Sequence, residues 1–432
     1  MLNLPEKLAN LEREKRPIKV GVVGVGQMGA GVITIISQMK GMKVVAACDI
    51  DKRRTVNIFK ETGIPPGQVF YSDDPDECNK ALEKGMRVAT GRAEVIPQLF
   101  LLDVVVEATG IPRVGAEVAF AAIRSKKHIV MMNIETDVTV GHILSDLARR
   151  SGVVYTVGAG DEPAAIKELY DFATSLGFKV VAAGKGKNNP LNREATPESL
   201  KEIARKKGIN PKMLCEFVDG SKTMIEMAAL ANATGLIPDV RGMHGPECEP
   251  EEIATVFSLR NQGGILNQEG VVDYALGKIA PGVFVVVTTK NRRLIQDLEY
   301  IGMGKGPNYL LYRPYHLVSI EVPLSIARAV IYNEPTLVPL KNPVAETITV
   351  AKRDLKKGMT IDGIGRFDIY GLIEKASVAR KENLLPLGLA EGAILKTDVR
   401  KGDCLTLDQV ELEDNLLVNL RKLQDRLFSP KE

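Results

Sequence analysis

Apolar and polar positions alternate in blocks over the first third of the chain. Residues 18–26, IKVGVVGVG, form a β-branched run ending on glycines, and QMGAGVITIISQMK after it carries apolar residues at helical spacing. MKVVAACDID, LLDVVVEATG, HIVMMN and VVYTVG are further apolar runs of strand length, and AEVAFAAIRSKK and HILSDLARRSG read as helices among them. Continuous apolar runs predict strands buried on both faces, and the intervening helices predict a parallel sheet covered on each side. Residues 53–99, with turn signals at Pro65-Pro66-Gly67, read as a connection plus an insertion. Upstream, Leu4, Leu8 and Leu11 repeat at helical spacing within a charged segment.

From about residue 159 the pattern loosens. KGKNNPLNREATPES and RGMHGPECEPEE cluster polar residues and predict loops, whereas GVFVVVTT and HLVSIEVP predict strands. PLSIARAVIYN predicts a helix, expected to pack back on the first domain. In the tail, Asp354-Leu355-Lys356-Lys357-Gly358 recurs 44 residues later as Asp398-Val399-Arg400-Lys401-Gly402, each copy leading into strand-like residues. A small all-β module with internal pseudo-symmetry is expected there. The division predicted is an α/β parallel-sheet domain over 1–158, a mixed α+β domain for substrate and oligomerisation over 159–345, and a separable β module over 346–432.

Composition narrows the class. A formal charge of +3 over 432 residues gives no basic footprint for nucleic acid or a membrane surface. The five cysteines are scattered, with no CxxC pair, which fits a reducing compartment and argues against structural zinc or disulfides. The charged start predicts no signal peptide, and no apolar run reaches the ~18 residues a membrane span needs. A cytoplasmic homo-oligomer with a small-molecule substrate is expected.

Gly24-Val25-Gly26-Gln27-Met28-Gly29 is a G-x-G-x-x-G set between a buried strand and a helix, with Asp49 ending the next strand. That context is what a Rossmann dinucleotide site requires. The first glycine allows the tight turn, the second lets the pyrophosphate approach the backbone, and the third lets helix and strand pack closely. Asp49 suits the ribose hydroxyls of NAD(H). Arg53, in the run Lys52-Arg53-Arg54, suits the 2′-phosphate of NADP(H), so both cofactors stay open. Thr109 and Gly110 end the DVVVEATG strand at the carboxyl edge of the sheet, where they are expected to flank the cofactor. Asn133, closing HIVMMN, is expected near the nicotinamide.

Candidate chemistry lies farther on. Asp161 and Glu162 open a predicted helix, and Lys185, Lys187, Asn188 and Asn189 follow the strand FKVVAAG as a clamp for an anion or a carbonyl. Lys222 and Glu226 share one helical face, with Asn232 six residues beyond Glu226. The acids, Lys185 and Lys187 are the catalytic candidates. Asn188, Asn189, Lys222, Asn232, Arg241 and His244 are the substrate contacts expected; Tyr315 and His316 are weaker candidates.

The strand–GVVGVGQMG–helix, DVVVEATG and KHIVMMN elements resemble the homoserine-dehydrogenase-like superfamily. The whole chain is similar to the bacterial deoxyxylulose-phosphate-reductoisomerase-like oxidoreductases, most specifically in GAGDEP, AAGKGKNNP and NLLPLGLAEGA. Its tail is similar to a SAF domain, a β-clip module. The resemblance implies NADPH-dependent reduction of a small phosphorylated or polyhydroxylated carbonyl compound, with or without a prior carbon-skeleton rearrangement. Two departures matter. Homoserine dehydrogenases carry a catalytic lysine where this chain has Ile134, so homoserine is not expected. The N-K-E and D-S-E-H motifs of the reductoisomerases are only partly echoed by Asn133-Ile134-Glu135 and Asp161-Glu162-Pro163, which leaves a divalent metal and the isomerase step open. The alternatives are a dehydrogenase of a sugar acid or hydroxy acid and a non-catalytic dinucleotide or metabolite sensor.

Overall fold

The computed structural model describes residues 3–428. The chain forms two compact units: one of the residues through Asp161 with Leu317–Val338 and Asn419–Gln424, the other of Glu162–His316, Pro339–Val418 and the residues from Asp425.

The first unit is built on seven parallel strands: β1 (Ile18–Val23), β2 (Met42–Cys48), β3 (Val69–Tyr71), β4 (Arg87–Thr90), β5 (Val104–Glu107), β6 (His128–Met131) and β7 (Tyr155–Val157). Their order is β3-β4-β2-β1-β5-β6-β7. The apolar runs read from the sequence are these strands, and the covered sheet follows from their having no polar face. Residues 53–99 are no insertion, since they supply β3 and β4 at one edge of the sheet. At three and four residues, with half-exposed side chains on β3, these strands lack the apolar run that marks the others.

Leu4 and Leu8 of the Leu4–Arg13 helix bury themselves in the same core as Val20, Val22 and Ile33. HLVSIEVP is helical: Val318–Ala327 forms one helix. Its β-branched residues suggest a strand, but packing decides, because Val322 and Ile326 at helical spacing enter that core. This returning helix lies against Gln27–Ser37, the helix of the glycine motif. Part of the C-terminal Leu416–Phe428 helix also belongs here. The Gln424 side chain accepts from Ile143 N at 3.1 Å and donates to Thr139 O at 3.1 Å, joining two groups that a regular helical turn would pair with each other.

The second unit has a mixed five-stranded sheet of β8 (Lys179–Gly186), β9 (Ile237–Pro238), β10 (Val271–Ala275), β11 (Val283–Thr288) and β12 (Asn308–Arg313), ordered β12-β11-β8-β10-β9. The Glu162–Ser175 and Ser221–Thr234 helices pack together, the first lying on β8. The tail is β-rich but not all-β as expected, since it also holds the Ala376–Lys381 and Leu416–Phe428 helices; its antiparallel pairs are β13 (Ala345–Ala351)/β14 (Ile369–Lys375) and β15 (Ile394–Leu395)/β16 (Val410–Glu411). The near-repeat is structural. Leu355 and Val399 exchange backbone hydrogen bonds of 2.8 and 2.9 Å, Asp354 accepts from Lys401 N, and Asp398 accepts from Lys357 N. Each copy thus caps the turn of the other.

The tail does not stand apart from the middle of the chain, as the sequence suggested; β13 and β14 pack on Ser221–Thr234. Lys352, just after β13, is buried and reaches the buried Asp219 at 2.7 Å and the carbonyls of Ala195 and Arg366 at 2.9 Å. Lys352→Met leaves Asp219 buried without its counter-charge. A loss of ~3–5 kcal/mol in urea unfolding is expected, and unchanged stability would refute this role.

Candidate functional site

At the end of β1 the chain turns through Gly24, whose φ of 93° suits glycine, and enters the Gln27–Ser37 helix at Gly26. A Cβ on Gly29 would lie 1.8 Å from Gly24 O, so only glycine lets this helix approach the turn. A Cβ on Gly26 would meet nothing within 4 Å. No side chain caps this helix N-terminus, so its first N–H groups face open space suited to a diphosphate. Gln27 and Met28 form the first turn.

Asp49 accepts from Val25 N and from Asp51 N, each at 2.9 Å, tying β2 to the glycine turn. Asp51 then caps the Lys52–Glu61 helix. Within the basic run, Lys52 lies over the Tyr71 ring at 4.0 Å and Arg54 lies 3.7 Å from Asp51. Arg53 is exposed and, among the described residues, its guanidinium has no ion-pair partner. If Arg53 grips a 2′-phosphate, Arg53→Ala weakens NADPH by roughly 1.5–3 kcal/mol and spares NADH, as for a hydrogen bond to a charged group. Equal titration curves for the two nucleotides would return the selection to Asp49.

Thr109 is held from below by Glu107, which accepts from its N–H at 2.9 Å and from its hydroxyl. Glu107 is fully buried, and burial pushes its carboxyl up to about 7. Gly110 follows with a left-handed φ of 67°. Asn133 departs from expectation. It is fully buried, caps the Ile134–Ser151 helix through Thr136 N, and donates to Ile111 O at 3.0 Å. It braces the ends of β5 and β6 and has no free amide to offer a nicotinamide.

In the second unit, β8 delivers Lys185 near its end and Lys187 just after it, both buried. Lys185 Nζ donates to Glu162 at 2.5 Å and to Glu226, whose side chains are also buried. Glu162 opens the Glu162–Ser175 helix, and Glu226 lies inside Ser221–Thr234. Burial alone would push the Lys185 ammonium down, but the two carboxylates outweigh it and hold its pKa well above the lysine range. Burial and the Glu162 charge push Glu226 up, as expected when two acids share one ammonium. His316 Nε2 lies 3.5 Å from Glu162, which brings a weak sequence candidate into the cluster.

Lys187 differs. Its Nζ donates to Asn189 O and Phe217 O, each at 2.7 Å, and burial, then the Lys185 charge, lower its pKa to about 8. A neutral amine has two N–H groups and one lone pair. With both N–H groups held by carbonyls, the remaining position is aimed and can take up or release a proton.

The other expected contacts divide. Lys222 lies close enough to Glu226 for its charge to favour the carboxylate. Asn188 is exposed, and the side chain of Asn189 accepts from Lys207 at 3.4 Å. The His244 ring meets Asp239 at 2.8 Å, and the His244 backbone N–H donates to Asp273 of β10, the neighbour of β8. Two residues are structural. Asn232 spends its amide on the backbone of Val344 and Ala345. Arg241 is paired at 2.6 Å with both Glu374 and Glu382 of the tail, so neither is free for substrate. Asp161 closes the first unit and Glu162 begins the second. The Phe217 carbonyl could not be foreseen, because main-chain acceptors leave no residue-type signal.

Residues 18–156 match the family described as dihydrodipicolinate reductase, N-terminus, and residues 160–322 match that of oxidoreductase DRL, catalytic domain. The chain is an NAD(P)-dependent oxidoreductase, and its cofactor is NAD(H) or NADP(H). No curated protein matches its sequence. Among solved structures, a probable dehydrogenase from Thermotoga maritima is 13% identical, with 74% of this chain and 90% of that one covered and a TM-score of 0.42. The 1-deoxy-D-xylulose 5-phosphate reductoisomerase from Zymomonas mobilis, solved with NADPH, is 20% identical over 51% of this chain and 59% of its own, at a TM-score of 0.36. The scyllo-inositol dehydrogenase from Lactobacillus casei, with bound NAD(H) and scyllo-inositol, is 15% identical over 69% and 76%, at 0.38. These are distant likenesses only. Among the described residues no helix is long and apolar enough to cross a membrane.

Proposed function

We propose that the protein reduces a small phosphorylated or polyhydroxylated carbonyl compound with NAD(P)H, Lys187 supplying the proton to the forming alkoxide. One observation carries this reading. A buried lysine with its pKa lowered to about 8 is held by two main-chain carbonyls beside a second, permanently charged lysine. A proton donor works best near the operating pH, and a neighbouring cation is a known physical route to such a lysine. Lys185 then tunes Lys187, while Glu162 and Glu226 hold Lys185 in place and charged.

The first unit contributes nucleotide binding through Gly24, Gly26, Gly29 and the Asp49–Arg53 segment. Lys222, Asn188, Asn189 and His244 offer donors for substrate hydroxyls or phosphate. Glu162 and Glu226 face the Lys185 ammonium, an arrangement that serves plain reduction. The tail, with its paired repeats, is read as a SAF-like module that completes the substrate unit.

The test is turnover of NADPH and NADH with a panel of sugar phosphates, keto sugar acids and hydroxy acids, with and without EDTA. Oxidation of the nucleotide by one substrate class, unchanged by EDTA, is the expected result. Strict dependence on a divalent ion would instead favour the rearranging reductoisomerase.

A further inference from the structure

The Arg292–Tyr300 helix joins β11 to β12, and none of its residues is buried. Among the described residues no other element packs on it beyond a glancing contact. Yet it is amphipathic. Leu294, Leu298 and Ile301 follow one another at spacings of four and three, with Ile295 beside them, so they line one side of the helix and its end. Ile295 and Leu298 are half-buried, but Leu294 is 37% exposed and Ile301, just past the helix, 65%, so the stripe is only partly covered.

The charges give the identity of the missing partner. Arg292 and Arg293 occupy the first turn and Asp297 and Glu299 the last, with no acid at the start and no base at the end. Each end therefore carries the charge that its own dipole disfavours. On a helical projection Arg293 and Asp297, an exposed ion pair within the helix at 3.1 Å, border one side of the apolar stripe, and Arg292 and Glu299 border the other. Both pairs centre on Ile295–Gln296. A second copy of the helix, antiparallel and related by a twofold axis at that point, sets Arg293 against Asp297 of the other copy. It sets Arg292 against Glu299 in the same way. Each positive end also meets the negative end of its neighbour, so the surface is complementary to itself.

The geometry points to this helix as a self-association surface for a second copy of the chain, packed antiparallel across Leu294, Ile295 and Leu298. The surface is remote from Lys185. Thr288, where β11 leads to the helix, pairs with Lys179, whereas Val283 pairs with Lys185 at the other end of β8. Six residues of strand separate the two, roughly 20 Å.

Sedimentation of the full chain at micromolar concentration tests the inference. Wild type is expected to be dimeric or a multiple of a dimer through this contact. Arg293→Glu sets like charges together twice and is expected to raise the dissociation constant about tenfold or more, as is Asp297→Arg. The double variant R293E/D297R restores every pair and is expected to associate like wild type, and a mixture of the two single variants is expected to form mixed dimers. Leu298→Glu removes the apolar contact and should abolish association. A monomeric wild type, an oligomer indifferent to R293E and L298E, or a double variant that fails to recover would each overturn the proposal.

Discussion

Lys187→Ala is expected to lower kcat by ~10²–10⁴, the range of a lost general acid, with little change in nucleotide affinity. Water cannot replace the amine, because Lys187 is buried and its position is fixed by the Asn189 and Phe217 carbonyls. The sign of the pH dependence follows from its role. In reduction the protonated amine is the active form, so kcat/KM falls as pH rises through about 8. In the reverse oxidation the neutral amine is active, and the rate falls as pH drops through the same value. Lys187→Arg keeps the charge but cannot release a proton near neutrality, so it is not expected to rescue activity. Near wild-type kcat/KM in Lys187→Ala would remove the lysine from the chemistry and direct attention to the Glu162–Lys185–Glu226 cluster.

The second large effect belongs to the nucleotide turn. Gly26→Val is expected to weaken NAD(P)H binding ~10²-fold or more, because the diphosphate at a helix N-terminus is a main anchor of the cofactor. The fold should survive. Gly26 has φ −74° and ψ −165°, open to any residue, and its Cβ direction meets no atom within 4 Å. Gly29 supplies the contrast, since Gly29→Ala drives a methyl to 1.8 Å from Gly24 O and should destabilise the unit itself. Circular dichroism and nucleotide titration separate the two outcomes. Tight binding by folded Gly26→Val would place the dinucleotide elsewhere.

Much of this was legible in the residues. The strands β1, β2, β5 and β6 are continuous apolar runs, and the glycine motif fixes where the first turn and helix meet. The tail repeat signalled pseudo-symmetry, and the structure pairs its copies through an aspartate three residues ahead of a lysine N–H in each, which caps the other. The rest depends on packing. Val318–Ala327 has a strand-like composition and becomes a helix only because Val322 and Ile326 have a core to enter. β3 and β4 are too short to show a period. At the candidate site the sequence offered Lys185, Lys187, Glu162 and Glu226 as separate polar residues. Which lysine would take the two carboxylates, and which would be held by carbonyls and lowered to about 8, depends on strand register and burial that no single segment contains. Asn232 and Arg241 mislead for the same reason: their partners, Ala345 and Glu374, lie more than a hundred residues away.

In the proposed reaction, hydride moves between a nicotinamide and a carbonyl carbon, and Lys187 handles the proton. Nucleotide deuterated at C4 of the nicotinamide, supplied with a panel of sugar phosphates and keto sugar acids, tests it directly. Mass spectrometry of the products should find deuterium on a new carbinol carbon, delivered from one face of the ring only, and at least a hundredfold more slowly in Lys187→Ala. Tight nucleotide binding with no deuterium transferred to any carbonyl would rule out the reductase and leave a dinucleotide sensor in its place.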